Sequence, residues 1–357
     1  MKKATLIALT FAFLLASSIS YGQTSKKTKL IQEGIAYHDA KKYKKAIKKY
    51  DASLKIDNEN ISAWYEKALS YYAWGKYQEA IDACEKCKQV DPESETMKQV
   101  YMIEANSWDD MGEPDKAIDI YEKGIESFPE YHMLYFNKGI TEIQNDKLDD
   151  CNESFKKSIE LEPDHAGSYN GLAVYNSIKG NKIPKIFMLS RYLIIAPTSS
   201  RAPDNLMKLE EITTKAATKT GRNSVSISLS SIVTDEDVDS TVVVENDFSS
   251  LEMTLALSSA LNLSSKERKE TDADRLASMM ETLCNLLKEN QEGQIGYYWE
   301  RYAPYFIEMQ DEGMLETFAY IAYASSTNKK IQKWLKNNGS SIKKFYDWDD
   351  EYEWKNV

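Results

Sequence analysis

The chain has 357 residues, enough for two domains, with 42% hydrophobic and 28% charged residues, an ordinary globular balance. Its formal net charge is −11, and −13 once Lys2 and Lys3 are set aside. Nucleic acid and anionic membrane surfaces both demand a positive face, so neither is expected as a general partner.

Met1, Lys2 and Lys3 give a positive start, Ala4 to Leu15 is a mostly apolar run, and Ser20, Tyr21 and Gly22 place small residues for cleavage before Gln23. Residues 1–22 therefore read as a secretory signal peptide. The apolar run is about 12 residues, short of the roughly 20 that a transmembrane helix needs. A lipid anchor would need a Cys at the cleavage site, and the first Cys is Cys84. No later stretch is long and apolar enough to span a bilayer, so the expectation is an exported protein, periplasmic or secreted, with no integral membrane segment in the mature chain.

From residue 27 a pattern recurs five times: an aromatic or Leu, a Gly or Ala four residues on, a small residue twelve further, and usually a Pro twelve beyond that. The second copy reads Trp64, Ala68, Ala80, Pro92; the third Tyr101, Ala105, Ala117, Pro129; the fourth Tyr135, Gly139, Cys151, Pro163. The first (Leu30, Gly34, Ala46, Asn58) and fifth (Tyr169, Ala173, Lys185, Pro197) are degraded at one end. From Gly34 the anchors step by 34, 37, 34 and 34 residues, the period of a helical solenoid. Each copy reads as two antiparallel helices. In the second, Trp64, Ala68 and Tyr71 share one face, Gly75 closes the helix, and Ala80, Cys84 and Cys87 form the facing stripe. Small residues let the two helices approach closely at their crossing. Pro92, Pro129, Pro163 and Pro197 stop the second helices, because Pro lacks the N–H and disfavours helix just before it.

On these residues, 27–199 resembles a tetratricopeptide repeat array. The departures are Asn58 for the closing Pro, Cys151 and Lys185 for the small Ala, and three extra residues before the third copy. The resemblance implies a right-handed superhelix whose concave face, lined by the first helix of each pair, binds peptides or helices of partner proteins. Read one helical face away from the small anchors, the concave positions are Ile31, Ile35 and His38; Tyr65, Leu69 and Tyr72; Met102, Asn106 and Asp109; Phe136, Ile140 and Ile143; Asn170, Val174 and Ser177. Family members that clasp a C-terminal carboxylate place Lys, Arg and Asn there. This face is mainly apolar and aromatic instead, with Asn106, Asn137 and Asn170 as backbone clamps, so a carboxylate clamp is not expected. Leaving about eight large apolar side chains in water forgoes on the order of 10 kcal/mol, so a covering partner is expected.

Lys41, Lys42, Lys44, Lys45, Lys48 and Lys49 cluster in the first copy, opposite Ala46, Ile47 and Tyr50. They read first as a solvated outer face, and second as a seat for an acidic partner. Cys84 and Cys87 form a C-x-x-C pair inside a second helix, on the packing face. Core thiols are the favoured reading over an intrahelical disulfide or a metal or redox site, since no second pair completes a zinc set. Cys151 and Cys284 also fall at packing positions, Cys284 with Leu276, Met280, Leu283 and Leu287.

After Pro197 the composition shifts. Pro203 and Asp204 start a helix of Leu206, Leu209, Ile212 and Ala216 that runs to Gly221 and caps the stack, completing a unit over 27–221. Residues 222–246 are rich in Ser, Thr and Asp; Val225, Ile227 and Leu229 alternate as a short strand, with Val242 to Val244 as its partner. Residues 247–346 read as a mostly helical second domain with helices near 249–262, 272–290, 297–310, 314–325 and 329–337. Pro304 is expected to kink or split the third of these. Phe318 to Ala324 is apolar all round and is the first candidate to pack on the solenoid. Residues 222–357 resemble no recognised family. The fold class is thus mainly α: a solenoid of about five pairs with a capping helix, then a helical domain with a short β element.

The three histidines, His38, His132 and His165, all lie in the repeats, and no nucleophile-elbow, phosphate-loop, dinucleotide or zinc-protease motif occurs. No enzyme, cofactor or metal is expected. The alternative is a glycosidase-like carboxylate pair among Glu300, Glu308, Asp311 and Glu316, near Tyr297, Tyr298, Trp299, Tyr302, Tyr305 and Phe306. The favoured reading there is an aromatic core under a solvated acidic face. The end, Asp347 to Trp354, shows no single apolar face and reads as a mobile acidic tail, 347–357. Either this tail or the helix around Phe318 could fill the groove in the same chain or in a neighbouring copy. The functional expectation is an exported protein-binding scaffold for an apolar helix or peptide, with a self-associating envelope protein as a further alternative.

Overall fold

The computed structural model describes residues 26–215, 217–219, 225–227, 245–264 and 270–355. The expected signal peptide, Leu229 and Val242 to Val244 lie outside the described residues. By contact the chain divides into two compact units, one up to Leu161 and one from Glu162 on. No helix among the described residues is long and apolar enough to cross a membrane.

The first unit holds four helix pairs: α1 (26–39) with α2 (Tyr43–Leu54), α3 (Ile61–Ala73) with α4 (Tyr77–Val90), α5 (Met97–Asp110) with α6 (Pro114–Ser127), and α7 (His132–Gln144) with α8 (Leu148–Leu161). From α2 on, each helix packs on the next in sequence, and α3 on α5 and α5 on α7 stack first helix on first helix. That nearest-neighbour pattern is a solenoid. The turn inside every pair has one construction. A residue in the left-handed region, Lys41 (φ 56°), Gly75 (φ 74°), Gly112 (φ 80°) or Asp146 (φ 58°), ends the first helix. The next N–H then reaches back five residues, as in Lys42 to Tyr37 O at 2.8 Å, Lys76 to Tyr71 O at 2.9 Å, Glu113 to Trp108 O at 3.0 Å and Lys147 to Glu142 O at 2.9 Å. These are Schellman closures, which satisfy carbonyls the helix end would otherwise leave free.

The small anchors are fully buried: Ala46, Ala68, Ala80, Ala105, Ala117 and Cys151. At Gly139 the reason is steric, since a Cβ there would lie 2.8 Å from the Phe155 ring, and one at Gly34 would collide with the Tyr50 ring. Two hydrogen bonds tie successive first helices at the same sequence spacing: His38 Nδ1 with Ser70 Oγ at 2.8 Å, and Thr141 Oγ1 donating to Asp109 Oδ2 at 2.9 Å.

The second unit begins with a fifth pair, α9 (Ala166–Lys179) and α10 (Lys182–Ile195), closed by the same turn at Gly180 (φ 79°). The helices α11 (Ala202–Ile212), α12 (Ser249–Ser264), α13 (Asp272–Asn290), α14 (Tyr297–Asp311), α15 (Leu315–Ala322), α16 (Lys329–Asn337) and α17 (Gly339–Glu351) follow. The fifth pair and the capping helix expected to complete the solenoid over 27–221 therefore fall in the second unit. There α10 is the hub. Ile183, Pro184 and every residue from Ile186 to Ile194 are buried, and α9, α11 and α15 pack on it. Pro184 does no harm at this helix start. Glu252 of α12 accepts from the Lys182 and Ile183 N–H groups at 2.6 and 3.0 Å, and Pro184 has no N–H to satisfy.

Three expectations are corrected. The helix expected to reach Gly221 stops at Ile212, where Ile212, Thr213 and Thr214 make a β-branched run and Thr213 Oγ1 turns back to Leu209 O at 2.6 Å. The strand Val225–Ile227 (β2) forms and pairs antiparallel with Ala217–Lys219 (β1), Thr218 opposite Ser226, while its expected partner Val242 to Val244 lies outside the described residues. Pro304 does not split α14, which runs unbroken over 15 residues. Nine buried side chains on that helix, six of them aromatic, offset the roughly 3 kcal/mol an interior Pro costs. The tail is no loose end either: α17 carries it to Glu351, and Phe345 and Asp349 are buried. A Thr271 capping box starts α13, and α15, the helix around Phe318, is buried along its length against α13 and α10.

Candidate functional site

The expected groove residues of the first unit are half-buried rather than exposed: Ile31, Ile35, Tyr65, Leu69, Tyr72, Met102, Asn106, Phe136 and Ile140. Tyr65, Leu69 and Tyr72 pack against the cluster of Ala68, Ala80, Cys84 and Val100, and Met102 packs on Ala105, Ala117 and Tyr121. Phe136 lies 6.1 Å from Phe155, ring to ring. The open apolar area is therefore smaller than the sequence implied, because each first helix lends part of its concave face to the next pair. The amides are engaged too. Tyr121 OH donates to Asn106 Oδ1, and Asn137 Nδ2 donates to Met133 O at 2.8 Å. Burial raises the pKa of Tyr65, and it raises that of Tyr72 with help from Asp110 beside its hydroxyl. Glu66, the half-buried neighbour of Tyr65 in the chain, is raised by burial and by Asp39.

The fifth pair is different. Asn170, Val174 and Ser177 line a cavity of about 240 Å³ with Ile178, Lys185 and Leu189 of the same pair and Asn205 and Lys208 of α11. Val174 is 39% exposed and Ile178 53%. Two observations mark this cavity as unfinished. The Asn205 amide Nδ2 is buried without a hydrogen-bond partner among the described residues, its side chain 1% exposed. Burial also pushes the Lys185 ammonium down, with Glu211 opposing weakly. Its partner is Ser177 Oγ at 3.1 Å. Asn205 and Lys208 were not singled out from the sequence. The available signal was that Asn205 falls 35 residues beyond Asn170, one repeat period on, in a helix read only as a cap.

On the far side of the pair, the tail is built in. The Arg191 guanidinium is buried, donates from Nη1 to Tyr305 OH at 2.8 Å and to Asp349 Oδ1, and lies 4.9 Å from the Trp354 ring and 5.7 Å from Tyr169. Tyr305 OH donates to the same Asp349 oxygen at 2.6 Å, while its ring stacks on Trp354 at 4.8 Å and Trp348 at 5.0 Å. These contacts lie within the second unit and leave the Val174 cavity open.

The carboxylates considered for catalysis serve separate contacts. Glu300 accepts from Gly296 N at 2.8 Å, Glu308 from Trp348 Nε1 at 2.9 Å and Glu316 from Trp334 Nε1 at 3.1 Å; Asp311 pairs with Lys288. Tyr297, Tyr298, Trp299, Tyr302, Tyr305 and Phe306 are buried core. The four cysteines are buried thiols outside any disulfide, with Cys87 and Cys284 raised by burial to about 12, and Cys284 donates to Phe306 O at 3.2 Å. Thiols held that far from ionisation are packing groups.

Helix pairs stacked each on the next define an α-solenoid repeat scaffold, an architecture consistent with protein–protein interaction. Residues 61–94 match the family model of the tetratricopeptide repeat, and residues 34–75 match that of the TPR repeat. The first unit therefore contains tetratricopeptide repeats. The chain is 23% identical over 205 residues to the human protein O-mannosyl-transferase TMTC1, covering 44% of this chain and 23% of that one. It is 29% identical over 133 residues to the Hsp70-Hsp90 organizing protein of Triticum aestivum, covering 37% and 22%. The chain thus spans less than a quarter of either relative. Among solved structures, a thermophilic TPR protein of Thermus thermophilus is 16% identical with a TM-score of 0.43, covering 52% of this chain and 97% of that one.

Proposed function

We propose that this protein is an exported scaffold or adaptor that holds a partner protein by an apolar helix or peptide laid on its concave face. The observation that carries the reading is the cavity at Asn170 and Val174. It offers exposed apolar side chains, an unpaired buried amide and a half-buried ammonium, which together suit a chain with an apolar side chain and a nearby carboxylate or carbonyl. In the first unit, Ile31, Ile35, Tyr65, Leu69, Tyr72, Met102, Phe136 and Ile140 offer apolar surface of the same kind, each with part of it still open. The positively charged, apolar amino-terminal segment supports export to the periplasm or the medium.

Affinity capture from the native envelope, read by mass spectrometry, tests the binding reading. A Val174→Glu, Ile178→Glu double variant should lose the captured partner with an unchanged circular dichroism spectrum and thermal midpoint. Tyr65→Ala with Phe136→Ala should weaken capture at the repeats. Retention of the same partner by both variants would refute the concave face as the site. Export is tested by cell fractionation and amino-terminal sequencing; a mature protein beginning at Gln23 outside the cytoplasm is the expected result, and an intact Met1 in the cytoplasm the contrary one.

A further inference from the structure

Away from the concave face, five cations converge at the turn of the first pair. Lys41, Lys42, Lys44, Lys45 and Lys48 line a cavity of about 410 Å³ with Tyr43 and Trp74. None of the five meets a carboxylate among the described residues, whereas the adjacent Lys49 pairs with Glu33 at 2.5 Å. On one wall the Trp74 indole is 42% exposed, with the Lys76 ammonium 6.0 Å from its ring centre. Unpaired ammonium groups at this density repel one another, and the chain as a whole is acidic, so the cavity is a local reversal of the protein's field.

The backbone is arranged to add a cation at some cost. Lys41 occupies the left-handed turn position that Gly75, Gly112 and Gly180 fill in other pairs, where a glycine adopts φ > 0 freely and a lysine does not. Lys44 and Lys45 stand in the first turn of α2, where α4, α6 and α8 carry Glu79, Asp115, Asp149 and Asp150. An anionic occupant would offset the charge penalty at the start of α2. Its shape follows from the walls: several carboxylates for the lysines, and one aromatic or large apolar side chain for the indole face.

We infer that this cavity docks an acidic peptide segment of a partner protein, with carboxylates on Lys41, Lys44, Lys45 and Lys48 and an apolar side chain against Trp74. A peptide fits better than an extended polyanion or a lipid surface, because the basic area is confined to one cavity of a chain whose net charge is −11.

The test is fluorescence anisotropy of the full mature chain with a labelled synthetic peptide of six aspartates flanking one phenylalanine, against its all-asparagine counterpart. Only the aspartate peptide should bind, and more weakly as salt rises from about 50 to about 200 mM. Lys44→Glu with Lys48→Glu should cost about tenfold or more in affinity, with Lys44→Gln and Lys48→Gln as the milder pair, and Trp74→Ala should cost about threefold. Lys41→Gly should raise the thermal midpoint and weaken the peptide together, a combination a merely solvated lysine would not give. Equal binding of the two peptides, or no loss in either lysine pair, would overturn the inference. So would binding of phosphatidylglycerol vesicles or inorganic polyphosphate in place of the peptide.

Discussion

The second helices of the middle pairs and of the fifth pair share one register and have different jobs. α4, α6 and α8 each bury one stripe, such as Ala80, Cys84 and Cys87 or Cys151, Phe155 and Ile159, and leave the opposite face to water. In α10 that outer face is Phe187, Arg191 and Ile194, buried under α14, α15 and the tail. A repeat that continues a stack thus differs from one that seeds a globular core chiefly in what its solvent face carries. The repeat anchors are silent on that difference, because they report only the packing within the pair.

The contrast breaks first at Arg191. Asp349→Ala leaves a buried guanidinium without its carboxylate and should cost about 3–5 kcal/mol, while Arg191→Met with Asp349→Leu should recover most of that loss. Deleting 347–357 should do at least as much damage as Asp349→Ala, read as lost cooperativity of the second unit in denaturant melts. Next come Phe187→Ala and Phe155→Ala, both fully buried aromatics and each worth about 3–5 kcal/mol. Their reach should differ. Hydrogen exchange should quicken across α10, α14 and α15 for Phe187, whose ring stacks on Phe306 at 4.9 Å, and only around α7 and α8 for Phe155. The same spread for both would erase the distinction between stack and hub.

Much of this was legible beforehand where local rules act. The anchor spacing located all five pairs, and the apolar runs and glycine stops located α13 and α16 to the residue. What escaped had non-local causes. The ending D-W-D-D-E-Y-E-W lacks one apolar face because its residues answer two different surroundings, Asp349 an arginine 158 positions earlier and Trp348 and Trp354 a tyrosine ring. The start of α10 could not be read locally, because its cap, Glu252, comes from another element about 70 residues on. One signal was in plain view: Ile186 to Leu189 and Tyr192 to Ile195 are unbroken apolar runs that cover more than one face, as a hub helix requires. On the concave face the residue types were legible, but not their half-burial, which depends on how far each first helix slides over the next.

Smaller perturbations sharpen the comparison at the level of single contacts. Gly139→Ala should cost about 1–3 kcal/mol, since its Cβ would press on Phe155 and neither helix can give way inside the stack. In the second unit, Glu252→Ala removes the acceptor from two α10 N–H groups and should cost about 0.5–2 kcal/mol, measured by denaturant melts.

The smallest expected effect concerns Glu66, which shares with Glu252 a pKa raised by burial and lacks its compensation. Glu252 receives two N–H groups; Glu66 faces the negative charge of Asp39. A carboxyl group whose folded pKa lies above its unfolded value is harmless while protonated in both states. As pH rises through the raised folded value, the folded state must ionise a group it disfavours, and stability falls. Glu66→Gln should therefore match the wild type near pH 4, melt at a higher temperature than the wild type at pH 7, and show a shallower pH dependence between them. Because Glu104 and Glu142 titrate in the same window, the difference between variant and wild type is the reading that isolates Glu66. A variant less stable than the wild type at pH 7 would mean that the Glu66 carboxylate is held by the fold after all, and that the first unit, like the second, pairs the charges it buries.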